Sequence, residues 1–379
     1  TSGAGISVVK TGTNTVLFQF DSTSGLYLAV KPGRDDTVKA ETYFRGYSYF
    51  GAFEYRRNGG DITVVNVLSM DDYLQGVIVQ EMSPSWPLEA LKAQTVCARS
   101  YAYGKLQAGK HQSQGFDLCN TTDCQAYVGI ATASDNSRRA VEETSGVYLW
   151  YNGRVADQAV YSSHNGGASE SAVNVWGRDY PYLIGKIDPY EASVVDRISN
   201  YNWTVTYTAQ ELTELLQSKG YGNSTIVDFR VTKTSPTGNA IEITFTDANG
   251  RSWSKTREAC RTFLGLRSQH YTISGGGGGY AVNGTGSLST LNGAYAVDGS
   301  GAMSTLTEGQ VYAIGGDGVI SQVKPSASAG SSGVFTITGS GWGHGVGMSQ
   351  WGAYSMAQQG DTYKDILTFY YTGIEVRKP

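Results

Sequence analysis

The sequence contains little charge, few cysteines and no long hydrophobic run. Only 16% of its 379 residues are charged and the formal net charge is −4, so the chain lacks the basic excess that phosphate backbones attract. No apolar stretch reaches the length of a membrane span. Four cysteines are too few for a disulfide scaffold in a chain of this size. We therefore expect no nucleic-acid partner and no membrane span in this sequence.

Glycine and tyrosine, by contrast, are abundant. The chain contains 49 glycines and 26 tyrosines, and 40% of its residues are hydrophobic, a composition typical of β-rich extracellular proteins rather than disordered ones. Its length exceeds that of one ordinary core and suits two domains, or one large domain with insertions. The composition thus predicts a folded, β-rich protein.

Strand and helix patterns alternate along the chain and predict an α+β fold with a few helices. Residues 5–70 contain short strand patterns, and "NGG" at 58–60 predicts a hairpin turn between two of them. Apolar residues recur at helical spacing from Leu88 to about Gln107, after Pro87. Three further segments predict helices: "SDNSRRAVEETSG", "TAQELTELLQSKG" and "KTREACRTFLG". The segment "GVYLWYNGRVADQAVYSS" predicts a hairpin around "NG".

A short repeat occupies the region between two flexible-looking segments. Tyr280 and Tyr295 begin similar units fifteen residues apart, and "QVYAIGGDGVISQV" resembles a third copy. Units this short predict β-hairpins, flanked here by a glycine run and by "KPSASAGSSG". We therefore predict an inserted β-repeat module at 275–333, an N-terminal β segment at 1–44, and a discontinuous main domain at 45–274 and 334–379.

Glu81 is the first candidate for chemistry. It follows the apolar run "GVIVQ" and precedes Met82, Trp86 and Pro87. A carboxyl that loses hydration in such surroundings has a raised pKa and keeps a proton near neutrality, as a general acid requires. The alternative is a glutamate that caps the following helix. Its position in the sequence does not decide between these interpretations.

Lys92 and Arg99 are candidates for binding substrate oxygens. They lie seven residues apart and therefore share a face of the predicted helix, from which both could reach a pocket lined by Glu81. The alternative is that they extend to the surface or pair with acids such as Glu89. Because a cation against Glu81 would oppose a raised pKa, contact through the substrate is favoured over a direct ion pair.

Two glycine-rich segments carry polar side chains that could contact a ligand, because glycine lets the backbone turn sharply and approach closely. A serine hydrolase is the alternative for the first segment, but "G-x-S-x-G" is absent there. A phosphate-binding loop is not supported for the second. The predicted ligand-contacting residues are Ser162, Ser163, His164 and Asn165 in "YSSHNGG", and His344, Ser349 and Gln350 in "GWGHGVGMSQWG".

His111, Cys119 and Cys124 lie close together in the sequence. Zinc accepts one imidazole and two thiolates, although the sequence offers no obvious fourth ligand. A Cys119–Cys124 disulfide is an equal alternative, and free thiols are the third. Cys97 lies on the apolar helix and is expected in the core, with a Cys97–Cys260 bridge as its alternative.

Five segments, in order from about residue 45 to the C-terminus, together resemble the stage II sporulation protein D/amidase enhancer family. Five separated motifs in the same order form a far more specific signal than any one of them. The family's catalytic glutamate, in the motif E-M-x-x-x-x-P-x-E-A-L-K-A-Q, falls at Glu81. The five segments are "VVNVLSMDDYLQGVIVQEMSPSWPLEALKAQTVCARSYAY", "FDLCNTTDCQAYVG", "YSSHNGGASESAVNVWG", "FLGLRS" and "GWGHGVGMSQWGAYSMAQQG".

The resemblance implies a peptidoglycan lytic transglycosylase, which cuts between N-acetylmuramic acid and N-acetylglucosamine in peptide-stripped glycan strands. Glu81 would act as acid and then as base, and no cofactor is required because the sugar's own 6-hydroxyl closes a 1,6-anhydro ring. The resemblance also implies an extracytoplasmic protein of the cell wall, with an amidase as a partner. A longer form of the protein could carry a membrane anchor.

Some relatives in this family carry a zinc ion held by one histidine and two cysteines, similar to His111, Cys119 and Cys124. A structural zinc is therefore a further implication. Two other hypotheses stay open: a non-catalytic wall-binding module that stimulates an amidase, and a zinc hydrolase that would lose its activity on chelation. The chain departs from the family at Cys97, where alanine is usual, and in the repeat at 275–333.

Overall fold

A computed structural model gives the fold of the chain, and the predicted α+β class is confirmed. Helices mix with small sheets, and every strand pair with a given register is antiparallel. The structure describes residues 5–21, 25–33, 39–130, 132–275, 280–282, 286–288, 295–297, 303–305, 312–314, 320–322 and 333–379.

The chain divides into two compact units, each made of several segments. The predicted boundaries at 44/45, 274/275 and 333/334 are not the boundaries of these units, and the predicted three-part division stays a prediction. The first unit comprises Thr1–Tyr161, Tyr180–Ile184 and Gly347–Pro379, and the second comprises Ser162–Asp179 and Gly185–Val346.

The strands of the described residues are short. In chain order they are β1 Gly5–Val9, β2 Val16–Asp21, β3 Leu28–Val30, β4 Thr42–Phe44, β5 Tyr47–Tyr49, β6 Ala52–Asn58, β7 Asp61–Val67, β8 Tyr148–Tyr151, β9 Arg154–Val155, β10 Tyr161–Ser162, β11 Asn202–Thr208, β12 Ile226–Thr234, β13 Ala240–Asp247, β14 Ser252–Thr256, β15 Tyr271–Gly275, β16 Tyr280–Val282, β17 Gly286–Leu288, β18 Tyr295–Val297, β19 Met303–Thr305, β20 Tyr312–Ile314, β21 Ile320–Gln322, β22 Val334–Ser340, β23 Met348–Ser349 and β24 Glu375–Arg377.

The helices vary widely in length. Among the described residues, no helix combines the length and the apolar character that crossing a bilayer requires. The helices are α1 Met70–Glu81, α2 Leu88–Ala108, α3 Asp135–Glu143, α4 Ala172–Trp176, α5 Ala209–Ser218, α6 Ala259–Thr262, α7 Gln350–Gln359 and α8 Tyr363–Tyr370, with 3-10 turns at Gln112–Gln114 and Glu191–Arg197.

Helix α2 is the centre of the first unit. It packs against α1, α3, α7, α8 and strand β8, so most of its faces are covered. Small residues such as Ala93 and Ala98 have no exposed surface, and neighbouring helices can approach the backbone there. Pro87 precedes the helix, as predicted, and Gly109 ends it in the left-handed conformation with φ 61°. This helix fixes the positions of the side chains around Glu81.

The second unit is built on two three-stranded antiparallel sheets, β11-β22-β15 and β12-β13-β14. Phe229 and Phe245 face each other across β12 and β13 and stack with ring centroids 4.3 Å apart. Helix α5 begins at a capping box between Thr208 and Glu211 and packs against β11 and β12. The predicted helix "TAQELTELLQSKG" is confirmed.

Three two-stranded antiparallel pairs fall on the predicted repeat, and each begins with tyrosine, which confirms the hairpin prediction. The other residues of the predicted module, and with them the predicted stacking of its units, lie outside the described residues. The pairs are β16 with β17, β18 with β19, and β20 with β21, in which Tyr280 opposes Leu288, Tyr295 opposes Thr305 and Tyr312 opposes Gln322.

Two local predictions are corrected. Glu81 does not cap the following helix, since it is the last residue of α1 and Pro87 occupies the N-cap of α2. The predicted helix "KTREACRTFLG" shrinks to α6, Ala259–Thr262, because Lys255 and Thr256 still belong to strand β14. The sequence pattern does not predict α1, whose burial on several sides removes the polar stripe of an amphipathic helix.

Candidate active site

Glu81 is placed by the end of a helix rather than by a loop. Helix α1 starts at Ser69, whose hydroxyl accepts the N–H of Asp72, and ends where the N–H of Met82 reaches the carbonyl of Ile78. The Glu81 side chain is partly buried. A carboxylate in this position meets the negative end of the helix dipole, which disfavours its ionised form.

Neutral side chains surround the Glu81 carboxyl. Gln350, the first residue of α7, donates from Nε2 to Glu81 Oε2 at 3.3 Å. The same amide reaches Gln94 Oε1 on α2 at 3.5 Å, and Tyr161 is a further neutral neighbour, which acts to lower the pKa of the carboxyl. Gln94 Nε2 is fully buried and has no hydrogen-bond partner among the residues that the structure describes. Within the described part of the chain, Gln94 Nε2 is therefore a buried donor left unpaired next to Gln350.

Loss of hydration is the main reason that the pKa of Glu81 is raised. The neighbouring Tyr161 and Gln350 side chains act in the opposite direction and offset part of this rise. A carboxyl in this balance can hold a proton at higher pH than an ordinary glutamate and can still release it. This behaviour suits a group that donates and accepts one proton.

The two predicted cations on α2 are engaged elsewhere. Lys92 Nζ lies 2.7 Å from carboxylate oxygens of both Glu89 and Glu143. Arg99 is fully buried, and its Nη2 lies 2.8 Å from Asp71 Oδ1. For both residues the structure contains ion pairs of the kind that the sequence analysis gave as the alternative. Neither residue enters the proposal below.

Ser349 has a local structural task. It is fully buried at the N-cap of α7, where its hydroxyl accepts the N–H of Gly352 at 2.9 Å. Replacing such an N-cap residue by alanine lowers the stability of the protein by about 1 kcal/mol. By fixing the first turn of α7, Ser349 places Gln350 beside Glu81.

The second unit brings Ser162 and His344 together. Ser162 Oγ lies 3.2 Å from His344 Nδ1 and accepts the N–H of Gly345 at 3.0 Å. Nδ1 also accepts the N–H of Val346 at 3.0 Å, so the ring proton is on Nε2. A Cβ at Gly343 would lie 2.8 Å from Ser162 Oγ, which explains why glycine is needed in this loop.

Burial lowers the pKa of His344 to about 4; Glu258 opposes this shift and Arg261 adds to it. The imidazole is therefore neutral at pH 7. It is also a weak base whose Nδ1 already accepts a backbone N–H. This geometry argues against activation of Ser162 as a nucleophile and suits a polar contact to an uncharged ligand.

His164 and Asn165 lie in a loop that a carboxylate holds in place. Glu191 accepts the N–H of Asn165 at 2.5 Å and that of Gly167 at 3.0 Å. His164 stacks on Tyr201 with centroids 5.3 Å apart, and burial lowers its pKa to about 4. His164 Nδ1 is buried and has no hydrogen-bond partner within the described ranges. Ser163, between Ser162 and His164, is partly exposed.

The predicted metal ligands do come together, and a fourth donor joins them. Ligand atoms of His111, Cys119, Asp123 and Cys124 all lie within 4.8 Å of one another. His111 Nε2 lies 3.5 Å from Asp123 Oδ2, and Cys119 Sγ lies 3.9 Å from the same oxygen. A tetrahedral zinc site needs donors about 3.3 to 3.8 Å apart. The types of donor fit zinc, and the wider pairs would have to close by up to about 1 Å to hold the ion.

Two details of this cluster agree with metal ligation. Gln114 Oε1 lies 3.3 Å from His111 Nδ1 and can only accept, so His111 Nε2 carries the lone pair, and this buried nitrogen has no hydrogen-bond partner within the described part of the chain. Burial would raise the pKa of Cys119, but hydrogen bonds from Thr121 and Cys124 lower it to about 7. All four cysteines lie within the described ranges and none forms a disulfide, while Cys97 is buried in the core as predicted.

Sequence analysis missed four residues that the structure places at these sites. Gln94 is the last residue of the glutamate motif and Tyr161 is the first residue of the segment "YSSHNGG", so membership of a motif was the available signal. Asp123 lies directly before Cys124, and a carboxylate between two cysteines is a candidate ligand. Gln125 carries no signal in the sequence, because its role depends on contacts between distant segments.

These features define an α+β protein whose polar site centres on one partly buried carboxyl with neutral neighbours. The family model for SpoIID, stage II sporulation protein, matches residues 58–151, a range that includes Glu81 and the metal-type cluster. An uncharacterized protein of Brachyspira hyodysenteriae is 31% identical over 336 residues, covering 87% of this chain and 73% of that protein. The chain belongs to the stage II sporulation protein D family.

Two further relatives have descriptive names. The amidase enhancer of Bacillus subtilis is 33% identical over 313 residues, which cover 79% of this chain but only 39% of that protein. The stage II sporulation protein D of the same organism is 25% identical over 325 residues, covering 82% of this chain and 75% of that protein. The present chain thus spans about two fifths of the length of the amidase enhancer.

Proposed function

We propose that this protein is a peptidoglycan lytic transglycosylase that cleaves glycan strands at the bond between N-acetylmuramic acid and N-acetylglucosamine. The observation that carries the proposal is the Glu81 carboxyl, partly buried at a helix end and contacted by neutral donors that leave its pKa raised. This is the state that a general acid needs near neutral pH. Membership of the stage II sporulation protein D family supports the same choice.

The reaction needs one carboxyl and no second protein nucleophile. The protonated Glu81 gives its proton to the glycosidic oxygen, and the C1–O bond breaks with its electron pair going to that oxygen. The Glu81 carboxylate then takes the proton of the muramic acid 6-hydroxyl while that oxygen bonds to C1. The products are a 1,6-anhydro end and a free 4-hydroxyl, and no water is consumed. This acid-then-base use of one group follows the logic of retaining glycosidases.

Uncharged side chains are suited to bind the uncharged parts of a glycan. In the second unit, Ser162, Ser163, His164, Asn165 and His344 stay predicted glycan contacts. The family also supports an extracytoplasmic site of action at the cell wall and an amidase as partner.

Digestion of peptide-free glycan strands tests the proposal. We expect wild-type protein to produce 1,6-anhydro-muramic ends, detected by mass spectrometry, and Glu81→Gln to produce none. Glu142→Gln, a change at an exposed position of α3, is the matched control and should leave the products unchanged. Absence of anhydro ends with folded wild-type protein would rule out this activity.

A non-catalytic role as an amidase enhancer is the second candidate, and the name of the 33% identical relative favours it. In that case the protein would accelerate a cell-wall amidase equally well with and without Glu81→Gln. An effect on amidase turnover that disappears with Glu81→Gln would instead indicate that cleavage of glycan strands prepares the amidase substrate.

We also propose that His111, Cys119, Asp123 and Cys124 hold one structural zinc ion, which would tie the loop after α2 together. Metal analysis of purified protein should then give one zinc per chain, and Cys119→Ser should abolish its retention. A Cys119–Cys124 disulfide detected by mass mapping would overturn this proposal. Transglycosylase activity that persists after chelation would remove the zinc hydrolase hypothesis.

A further inference from the structure

Trp342 in the second unit is the exposed member of the seven tryptophans, all of which lie within the described ranges. Its relative exposure is 48%, while the other six side chains are buried or half-buried. A single exposed aromatic ring is not by itself evidence of a binding site, since isolated apolar side chains are common on protein surfaces. The way in which the ring is held therefore matters more than its exposure.

The backbone on which Trp342 sits is fixed by neighbouring segments. The N–H of Trp342 donates to the carbonyl of His164 at 2.9 Å, and the N–H of Gly343 donates to the carbonyl of Arg267 at 2.9 Å. The flanking residues Gly341 and Gly343 have φ angles of 98° and 124°, which other residues adopt only under strain. The indole is therefore presented to solvent from a rigid backbone, and a contact that is ordered before binding costs little entropy when a ligand arrives.

A cation lies on this ring. The guanidinium carbon of Arg267 is 4.9 Å from the centroid of the Trp342 ring, and the Arg267 side chain is half-buried. The guanidinium forms no ion pair and no side-chain hydrogen bond with any residue that the structure describes. Its N–H donors, arranged as a planar fork, therefore remain available to an acceptor from outside the chain.

A second stack of arginine on tryptophan, in the first unit, shows what is missing at Arg267. There the guanidinium carbon of Arg377 lies 4.4 Å from the centroid of the Trp150 ring. Arg377 Nε also lies 2.8 Å from a carboxylate oxygen of Glu375, so this cation has a carboxylate partner within the fold. The two stacks have the same geometry and differ in that carboxylate. At Arg267 the place of the carboxylate is left to a ligand.

We propose that Arg267 and Trp342 form a binding site for muramic acid whose lactyl group ends in a free carboxylate. The inference rests on the proposed function and names the form of glycan strand that this site accepts. The guanidinium fork binds a carboxylate through two parallel hydrogen bonds, and the open part of the indole packs against the apolar C–H face of the sugar ring. N-Acetylglucosamine has no carboxyl, and a stem peptide converts the lactyl carboxyl into an uncharged amide. The site therefore selects strands from which the peptides have been removed.

The test is calorimetric titration of Glu81→Gln protein, in which the ligand is not cut. The two ligands are a peptide-free oligomer of alternating N-acetylglucosamine and N-acetylmuramic acid, and an N-acetylglucosamine oligomer of the same length. We expect the muramic oligomer to bind about tenfold more tightly, as one charged hydrogen-bonded pair contributes. Adding Arg267→Gln should abolish this preference and leave the affinity for the uncharged oligomer nearly unchanged. Adding Trp342→Ala should weaken the binding of both ligands.

Arg377→Gln is the matched control, because it removes the arginine of the other stack, and it should keep the tenfold preference. If Arg267→Gln does not fold, Arg267→Met, which keeps an unbranched chain over the indole, should show the same loss. A preference that persists in the folded Arg267 variant, or no preference with Arg267 in place, would overturn the inference. Equally tight binding of strands that still carry stem peptides would overturn it too, since the carboxylate would then come from the peptide.

The titration and the digestion of glycan strands can fail separately. A preference for the muramic oligomer in a protein that makes no anhydro ends would support the Arg267 site and remove only the proposed reaction. Cleavage of strands by a protein without this preference would remove only the Arg267 site.

Discussion

Burial shifts the pKa in opposite directions at the helix end that carries Glu81 and in the glycine loop that carries His344. In the first unit burial raises the pKa of a carboxyl, and in the second it lowers the pKa of two imidazoles, those of His344 and His164, to about 4. Loss of hydration disfavours the charged form in each case, so the carboxyl tends to hold its proton and the imidazoles tend to lose theirs. Both regions therefore favour neutral groups, which the proposed contact with uncharged sugars requires.

The difference lies in what else each region contains. The contacts of Glu81 are with neutral side chains, which leave its proton exchangeable. In the second unit, the loop of His164 and Asn165 is held by the carboxylate of Glu191, which accepts two backbone N–H groups and so has a structural task. Burial alone therefore does not identify a group that takes part in chemistry. The donors around a buried carboxyl decide whether it reacts or supports the fold.

The largest expected effect is on enzymatic activity, and it should differ between the Glu81 helix end and the His344 loop. Glu81→Gln should lower the rate of glycan cleavage by about 10²- to 10⁴-fold, the usual contribution of general acid–base catalysis. His344→Gln should raise KM with kcat nearly unchanged, since a neutral contact binds ground state and transition state alike. Steady-state kinetics on glycan oligomers measures both. A loss of kcat in His344→Gln as large as that in Glu81→Gln would break the distinction between the two regions.

The next effect concerns stability. Glu191→Ala should destabilise the protein by about 3–5 kcal/mol, because one buried and one partly buried backbone N–H lose a charged acceptor. Urea denaturation measures the free energy of unfolding. Glu214→Ala, at an exposed position of α5 in the same unit, is the control and should change it by less than about 0.5 kcal/mol. Equal stability of the two variants would show that the loop does not depend on Glu191.

A third prediction concerns the loss of folding stability at acidic pH. The pKa of His164 falls from 6.5 in the unfolded chain to about 4 in the fold, so the unfolded state binds the proton more tightly. His164 contributes about 3 kcal/mol to the free energy of unfolding. This contribution is present above pH 6.5 and is lost as the pH falls towards 4. His164→Phe keeps a ring against Tyr201 and should remove this part of the pH dependence. Thermal unfolding at pH 7 and pH 4 compares variant and wild type, and an unchanged dependence would contradict the assignment.

Local patterns were sufficient to predict the elements whose signals lie in one segment. Helix α2 followed from apolar spacing after Pro87, and the hairpin of β8 and β9 from "NG", where both Asn152 and Gly153 have positive φ. Helix α1 was missed because its several buried faces give no polar stripe. The motif containing Glu81 could be found in the sequence, since its residues lie in one stretch.

The surroundings of Glu81 could not be predicted in the same way. Gln350 is 269 residues from Glu81 and Gln125 is 36 residues from Tyr161, and only the fold brings the members of each pair together. The ion pairs of Lys92 and Arg99 likewise depend on acids from α1 and α3. Spacing on one helix shows which side chains share a face, but the partners on other elements decide what those side chains do.

The smallest expected effect is a change in the pH dependence of stability at Glu81, opposite in sign to that at His164. Because the pKa of Glu81 is raised above the unfolded value of 4.5, the folded state binds this proton more tightly, and its contribution is fully present below pH 4.5 and lost as the pH rises through the folded pKa. The loss amounts to about 1.4 kcal/mol for each unit by which the pKa is raised. Glu81→Gln cannot ionise, so it should gain stability relative to wild type between pH 5 and pH 8, measured by urea denaturation at several pH values. A variant that instead lost stability relative to wild type as the pH rose would mean that the carboxylate is the form that the fold stabilises, which would contradict a role for Glu81 as a proton donor.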